Sequence, residues 1–317
     1  MKKLSVIALA IAAATTGGVN AASVYDDGTT SLKIGGRVEP RMKFQDRNDE
    51  DKSNFSDESR FRVAFSGKTQ ITDSLTGIGH YQMEIKDGSD QTVKTKELYA
   101  GLGTAIGSFT YGQQDGAFTP IADISDIASY HSGNHIGIID GNGDEIQNTL
   151  TYAGDFDALA VTAHYTMNSD KDTDGYGLSA VYGFDFGLDL GLGYMGNDLG
   201  RGAGSADAFT FGAGYSIENF YIGGVYVTGE GADGDKDTDF DAYEISAQYK
   251  FGKARVVGVY AYQQNDPTGA AKYDETDQFA LELRYDFNKA FRVVGSYVFE
   301  QIDGGEDQLV LGARYNF

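Results

Sequence analysis

The chain of 317 residues contains no cysteine and carries a formal net charge of −22. A disulfide scaffold is therefore excluded, and so is a nucleic-acid partner, whose phosphates need clustered cations. No apolar run beyond the N-terminus is long enough to span a bilayer as a helix, which still admits a transmembrane β-barrel, because barrel strands are apolar on one face only.

The first residues, MKKLSVIALAIAAATTGGVNA, have the layout of a secretory signal peptide: two lysines, a short apolar segment, then small residues, with cleavage expected after Ala21. Residues 1–21 are thus read as the signal and 22–317 as one domain, since no linker or composition shift divides them. From there the period-2 alternation of half-buried strands recurs to the end. Phe61, Val63 and Phe65 alternate with Arg60, Arg62 and Ala64; Phe279, Leu281, Leu283 and Tyr285 alternate with Ala280, Glu282 and Arg284.

Strands are predicted near 32–44, 59–70, 75–86, 93–103, 107–113, 145–153, 158–167 and 175–184. The second half continues near 187–197, 206–216, 220–229, 240–251, 254–264, 277–286, 291–302 and 308–317. Short links, such as Thr72-Asp73-Ser74 and Gly252-Lys253, interleave with long acidic ones at 45–58, 168–174, 198–206, 230–239, 265–276 and 303–307. The expected fold is all-β: a transmembrane antiparallel barrel of about sixteen strands, closed because lipid tolerates no unpaired edge. Tyr at strand ends, including Tyr81, Tyr152, Tyr226, Tyr262 and Tyr315, suits interfacial girdles. Alternation alone does not separate this barrel from a soluble one turned inside out.

One stretch mimics a cofactor loop. GLDLGLGYMG, 187–196, holds a formal G-x-G-x-x-G, but its leucines alternate with its glycines and no amphipathic helix follows. The glycines fall inside a strand, and no dinucleotide site is expected.

The longest connection, about 114–144, is of a length that is usually functional or disordered. Its middle, PIADISDIASY, sets Ile121, Ile124, Ile127 and Ala128 at helical spacing, with Asp123 and Asp126 on a neighbouring face. A short helix packed on the inner wall and presenting carboxylates to the lumen is expected.

VYDDGTTSLKIGGR, FSGKTQITDSLTGIG, LYAGLGTAIGSFTYGQQDGA and the terminal LVLGARYNF together resemble the trimeric general porins of Gram-negative outer membranes, most closely their OmpU-like branch in vibrios. The resemblance runs over essentially the whole mature chain. It implies sixteen strands around a water-filled pore, a third loop folded inward to narrow it, and association of three barrels. It also implies an outer-membrane setting of lipid and lipopolysaccharide, and a terminal Phe317 similar to the signal read by the outer-membrane insertion machinery. The inward set on the first strand is Lys33, Gly35, Arg37, Glu39, Arg41 and Lys43. With Arg60, Arg62, Lys94 and Lys96 these place a basic wall of Arg37, Arg60, Arg62, Lys94 and Lys96 opposite Asp123 and Asp126. Arg37, Arg62, Lys94, Lys96 and Asp126 match the family pattern most closely.

The sequence departs from that pattern in three places. Glu145 stands where many relatives have a basic residue, and Tyr130 where enterobacterial relatives have a second loop carboxylate. Glu97 faces lipid if Lys96 faces the lumen, an expensive place for a charge unless it lies in a subunit interface or the register shifts there. Pro40 also removes a ladder donor and predicts a bulge or strand end.

Other motifs fail. DKDTDG at 170–175 starts like an EF-hand, but Val181 occupies the twelfth position, where the motif needs Glu, so no metal site is expected; the acidic loops read as solvated. The histidines are His80, His131, His135 and His164, with no G-x-S-x-G, and adjacency of His131 to Ser132 and Ser129 alone supports no hydrolase. No catalytic residue and no cofactor are expected. The reading is a passive channel for ions and small hydrophilic solutes, moderately cation-selective. The alternatives are a surface receptor or adhesin and a solute-specific channel.

Overall fold

The computed structural model describes residues 21–45, 54–86, 92–135, 138–139, 143–168, 173–200, 204–233 and 236–317. Residues 1–20 of the expected signal peptide, much of DKDTDG, and the tips of several acidic connections lie outside the described residues. Nineteen strand segments follow: β1 (Ala22–Asp26), β2 (Thr30–Glu39), β3 (Arg41–Gln45), β4 (Phe55–Asp57), β5 (Arg60–Thr72), β6 (Leu75–Lys86), β7 (Thr92–Thr104) and β8 (Gly107–Gln114). After a short helix, α1 (Thr119–Ala122), come β9 (Ile146–Phe156), β10 (Leu159–Thr166), β11 (Gly175–Gly183), β12 (Leu188–Asp198) and β13 (Ser205–Ile217). The last are β14 (Phe220–Asp233), β15 (Lys236–Phe251), β16 (Ala254–Pro267), β17 (Tyr273–Asp286), β18 (Phe291–Glu300) and β19 (Gln308–Asn316).

These segments form sixteen antiparallel staves, each paired with its chain neighbour. β2 and β3 are one stave broken at Pro40, and β4 and β5 another broken at residues 58–59. Pro40 has no N–H to give the ladder, yet its carbonyl accepts from Ala313 N at 3.1 Å. The barrel closes where β19 meets the first stave, with Leu311 opposite Met42 and Tyr315 opposite Val38. Phe317 extends this seam: its N–H and C=O exchange bonds with Gly36 at 3.1 and 3.0 Å, and its ring stacks on Phe61. β1 pairs back along β2 beyond the end of β19, from Ala22 opposite Ile34 to Asp26 opposite Ser31, and so completes the stave of β19.

The facing of the side chains decides what the alternation left open. Leucines and aromatics point outward, with Leu192 64% and Phe209 61% exposed, whereas Thr110, Thr151, Ser179, Glu244 and Ser296 face inward. An apolar surface running round the whole barrel belongs in hydrocarbon and not in water. At the long-loop end the outer tyrosines reach carboxylates: Tyr165 donates to Asp174 at 2.6 Å, Tyr194 to Asp207 at 2.8 Å and Tyr262 to Asp274 at 2.7 Å. At the short-turn end Tyr152 donates to the Ile106 carbonyl at 2.6 Å. Such rings sit with an apolar body in lipid and a polar tip in the interface.

Two boundaries need correcting. The acidic stretches expected as loops at 230–239 and 265–276 are largely strand: β14 and β15 pair out to Asp233 opposite Lys236, and β16 runs to Pro267. Above the lipid both faces meet water, so the hydropathy alternation fades while backbone pairing continues.

Candidate functional site: an infolded loop opposite an arginine wall

The connection between β8 and β9 folds into the barrel. Its neck is closed by Gly116 N to the Gly143 carbonyl at 3.0 Å and by Ala117 N to His164 Nδ1 at 2.8 Å. Helical spacing is realised only in α1, with Pro120 in its first turn. The helix stops at Ala122 instead of reaching Ala128 because the wall takes the next carbonyls: Tyr221 OH donates to Ile124 O at 2.6 Å and Ser246 Oγ to Ser125 O at 2.5 Å. Phe118, Ile121 and Ile124 are buried against Val181, Met195, Val225 and Val227 of the inner wall. Ile127 and Ala128 pack on Val257, Val259, Ala280 and Val298.

Gly191 and Gly193 of GLDLGLGYMG are part of that wall. A Cβ on Gly193 would stand 2.8 Å from Ile121 Cδ1, and one on Gly223 only 2.0 Å from the Ile124 carbonyl oxygen. The loop lies flush because no side chain intervenes.

Two wall acids that the sequence reading did not single out hold the loop's second half. Glu282 accepts from Ser129 N and Oγ at 2.7 and 2.9 Å. Glu244 accepts from Gly133 N at 2.9 Å and from Asn134 N and Nδ2 at 3.0 and 2.7 Å. Each carboxylate is almost wholly enclosed and spends its lone pairs on loop donors. Their signal was inward parity on β15 and β17, but parity does not reveal what an inward acid meets.

Opposite the loop stands the basic wall, organised by Glu39. This carboxylate has no solvent exposure and binds Arg60 at 2.7 Å, Arg314 at 2.6 Å, and Arg37 and Arg41 at 3.5 Å each. Glu84 likewise takes Arg62 at 2.6 Å and Arg60 at 3.4 Å. Between wall and loop is a gap of about 310 Å³, lined by Arg37, Arg60, Arg284, Arg292 and Arg314 on one side and by Asp126, Ser129, Tyr130 and Ser132 on the other.

The match to the family model for Gram-negative porins covers residues 8–317. The chain belongs to the Gram-negative porin family. Porin-like protein L of Photobacterium profundum is 36% identical over 100% of this chain and 99% of its own length. Outer membrane protein U of Vibrio parahaemolyticus is 34% identical, with both chains covered in full. Among solved structures, Salmonella typhi OmpF in complex with daunomycin matches 93% of this chain and 100% of its own at TM-score 0.82 and 23% identity. The trimer form of Vibrio cholerae OmpT matches 91% and 100% at TM-score 0.75 and 20% identity. This porin is accordingly an outer-membrane protein of a Gram-negative bacterium.

The porin's expected site residues are only partly brought together. Arg37, Arg60 and Asp126 share the gap, whereas Arg62 is turned to Glu84 beside it and Asp123 does not line it. Lys94 and Lys96 both pair with Glu145, at 3.2 Å for Lys94, so the acid that interrupts the basic pattern also neutralises its lysines. Glu97 does not face lipid. A bulge opposite Gln82 and Met83 turns both Lys96 and Glu97 inward, and Glu97 lies 3.1 Å from His80 Nε2. Tyr130 takes no carboxylate role; its ring lies under the Arg41 guanidinium at 4.7 Å. Ser132 Oγ bonds Asp126 and Ser129 Oγ bonds Glu282, so neither serine hydroxyl is turned to His131.

Enclosure by the surrounding wall pushes Asp123 up to about 7, with Asp126 and Asp144 adding repulsion. The same cause pushes Asp126 up to about 6, against the lowering bond from Ser132. Both side chains are open to lumen water, which moderates the rise without reversing it. Burial lowers His131 to about 4, so it adds no cation at neutral pH.

Proposed function

We propose that this porin is a general diffusion channel, passing ions and small hydrophilic solutes with moderate preference for cations. The reading is carried by the gap in which Asp126 faces Arg37 and Arg60. Opposed charges there set a transverse field that orients dipolar solutes, and charged rings bias ion traffic. Acidic residues at the long-loop ends of the strands and in the connections beyond them, such as Asp198, Asp266 and Asp303, raise cation concentration at the mouth. Three such barrels associate, as in the trimer form of OmpT, within lipopolysaccharide-rich lipid, and Phe317 at the closing seam serves as the signal for the insertion machinery. The flat outer patch of Gly67, Gly77, Gly79 and Ala100 suits close barrel-to-barrel contact.

Planar-bilayer recording tests the reading. Stepwise conductance with a reversal potential on the cation side at low salt is expected, weakening as salt screens the mouth; absence of steps, or clear anion selectivity, contradicts it. Removing one charge acting at roughly 8 Å through water changes an ion's energy by about 0.5 kcal/mol. Asp126→Asn removes that attraction for a cation and that repulsion for an anion, and should therefore lower the cation-to-anion permeability ratio by a factor of about five.

A pH series separates the loop acids from ordinary surface carboxylates. Since Asp123 and Asp126 are raised, protonation on acidification removes lumen negative charge while carboxylates near pKa ~4 stay ionised. Cation preference should be highest near pH 8 and fall between pH 7 and 5. A preference flat over that window and lost only below pH 4.5 would assign the selectivity to the mouth.

A further inference from the structure

The lumen carries a second basic feature that the gap only partly uses. On five consecutive staves, β15 to β19, an inward cation stands at or one step from the short-turn end: Lys250, Arg255, Arg284, Arg292 and Arg314, with Asp286 beyond Arg284 and Asn316 beyond Arg314. Their facing follows from buried inward residues an even number of steps along the strands, such as Val257, Glu282, Val294 and Val310. The register sets one acid among the cations, Asp286 opposite Arg292, and puts like charges directly opposite at three places, Lys250 against Arg255, Arg255 against Arg284 and Arg292 against Arg314.

Such pairs destabilise a sheet. Neutral residues, of the kind Ser296 and Thr210 supply elsewhere on the inner face, would serve the barrel better. Compensation is partial. Asp286 binds Arg255 at 3.1 Å and Arg284 at 2.8 Å, and Arg314 shares Glu39 with three other arginines. Arg292 has no ion-pair partner within 4.0 Å among the described residues. Arg284, Arg292 and Arg314 also border the gap of about 310 Å³, so the file leads from the short-turn mouth into the narrow part of the lumen.

We propose that this file is a binding site for small oligophosphate anions entering from the periplasmic end, where the short turns lie. Guanidinium forks bind phosphate oxygens in pairs, and a linear chain of phosphates can lie across neighbouring staves. From the outer side the same anion first meets the acidic connections. Binding is therefore directional, and it rests on the diffusion-channel reading.

The test is single-channel recording in sodium chloride, with inorganic triphosphate added to one compartment at a time. The chain has no cysteine, so Asn288→Cys in a short turn, reacted with an impermeant thiol reagent, reports which compartment the turns face. Triphosphate from that side should produce resolved current interruptions at least tenfold more often than from the other. Arg292→Gln should shorten their dwell time severalfold to tenfold, and Arg292→Lys should retain most of it. Channels that conduct but show no interruptions, equal interruptions from both sides, or dwell times unchanged in Arg292→Gln overturn the site and leave the channel standing. Chains that fold yet never conduct refute the channel reading itself.

Discussion

Gly223→Leu is expected to release the infolded loop and raise single-channel conductance. A Cβ there meets the Ile124 carbonyl oxygen at 2.0 Å and its carbon at 3.0 Å. Both are backbone atoms, so no side-chain rotation relieves the clash. The bond from Tyr221 OH to Ile124 O is lost as well. Overpacking of this kind costs about 1–3 kcal/mol, and the loop is the part free to move, because β14 is held in the ladder on both sides. Gly224→Ala is the control: it faces outward, and its nearest neighbour is 3.6 Å away. The Gly223 variant should insert normally and show a larger, noisier open current with weaker ion preference. Wild-type conductance and selectivity in correctly assembled Gly223→Leu would mean that the loop does not set the aperture.

Glu39→Gln is expected to weaken the barrel itself. The carboxylate has no exposure and neutralises four guanidinium groups drawn from β2, β3, β5 and β19. It therefore joins the first two staves to the last across the closing seam. Removing one partner of a buried ionic cluster typically costs about 3–5 kcal/mol, because the opposite charges stay buried without compensation. Heat- and urea-induced unfolding followed on gels should show a clear loss of stability, and surviving channels should shift toward anions. Glu58→Gln removes an exposed carboxylate 3.7 Å from Lys43 and should change stability by less than about 1 kcal/mol. Equal stability of the two variants would show that Glu39 is dispensable at the seam.

The strands were readable because their signal is local: Phe279, Leu281 and Leu283 alternate with Ala280, Glu282 and Arg284 whatever else the chain does. The facing of Arg37, Arg60 and Arg62 followed from the same parity. Parity failed at Lys96 and Glu97, where one inserted residue turns two charges to the same side, and a bulge leaves little trace in a sequence. The spacing of Ile121, Ile124 and Ile127 was legible, but its meaning was not: Tyr221 and Ser246 end the helix from a wall about a hundred residues away.

By itself, the sequence determined where the alternating strands lie, though not how far β14 to β17 extend past them, which face of the regular strands is apolar, and which connection is long enough to fold inward. Those properties depend on side chains one, two or four positions apart. Tertiary structure alone decided that the apolar face points out to lipid, that Glu244 and Glu282 grip the loop, and that Arg284, Arg292 and Arg314 stand beside Arg37 and Arg60. An inward charge acquires its neighbours from the staves that closure sets side by side, and β19 reaches the first stave only when Leu311 comes opposite Met42.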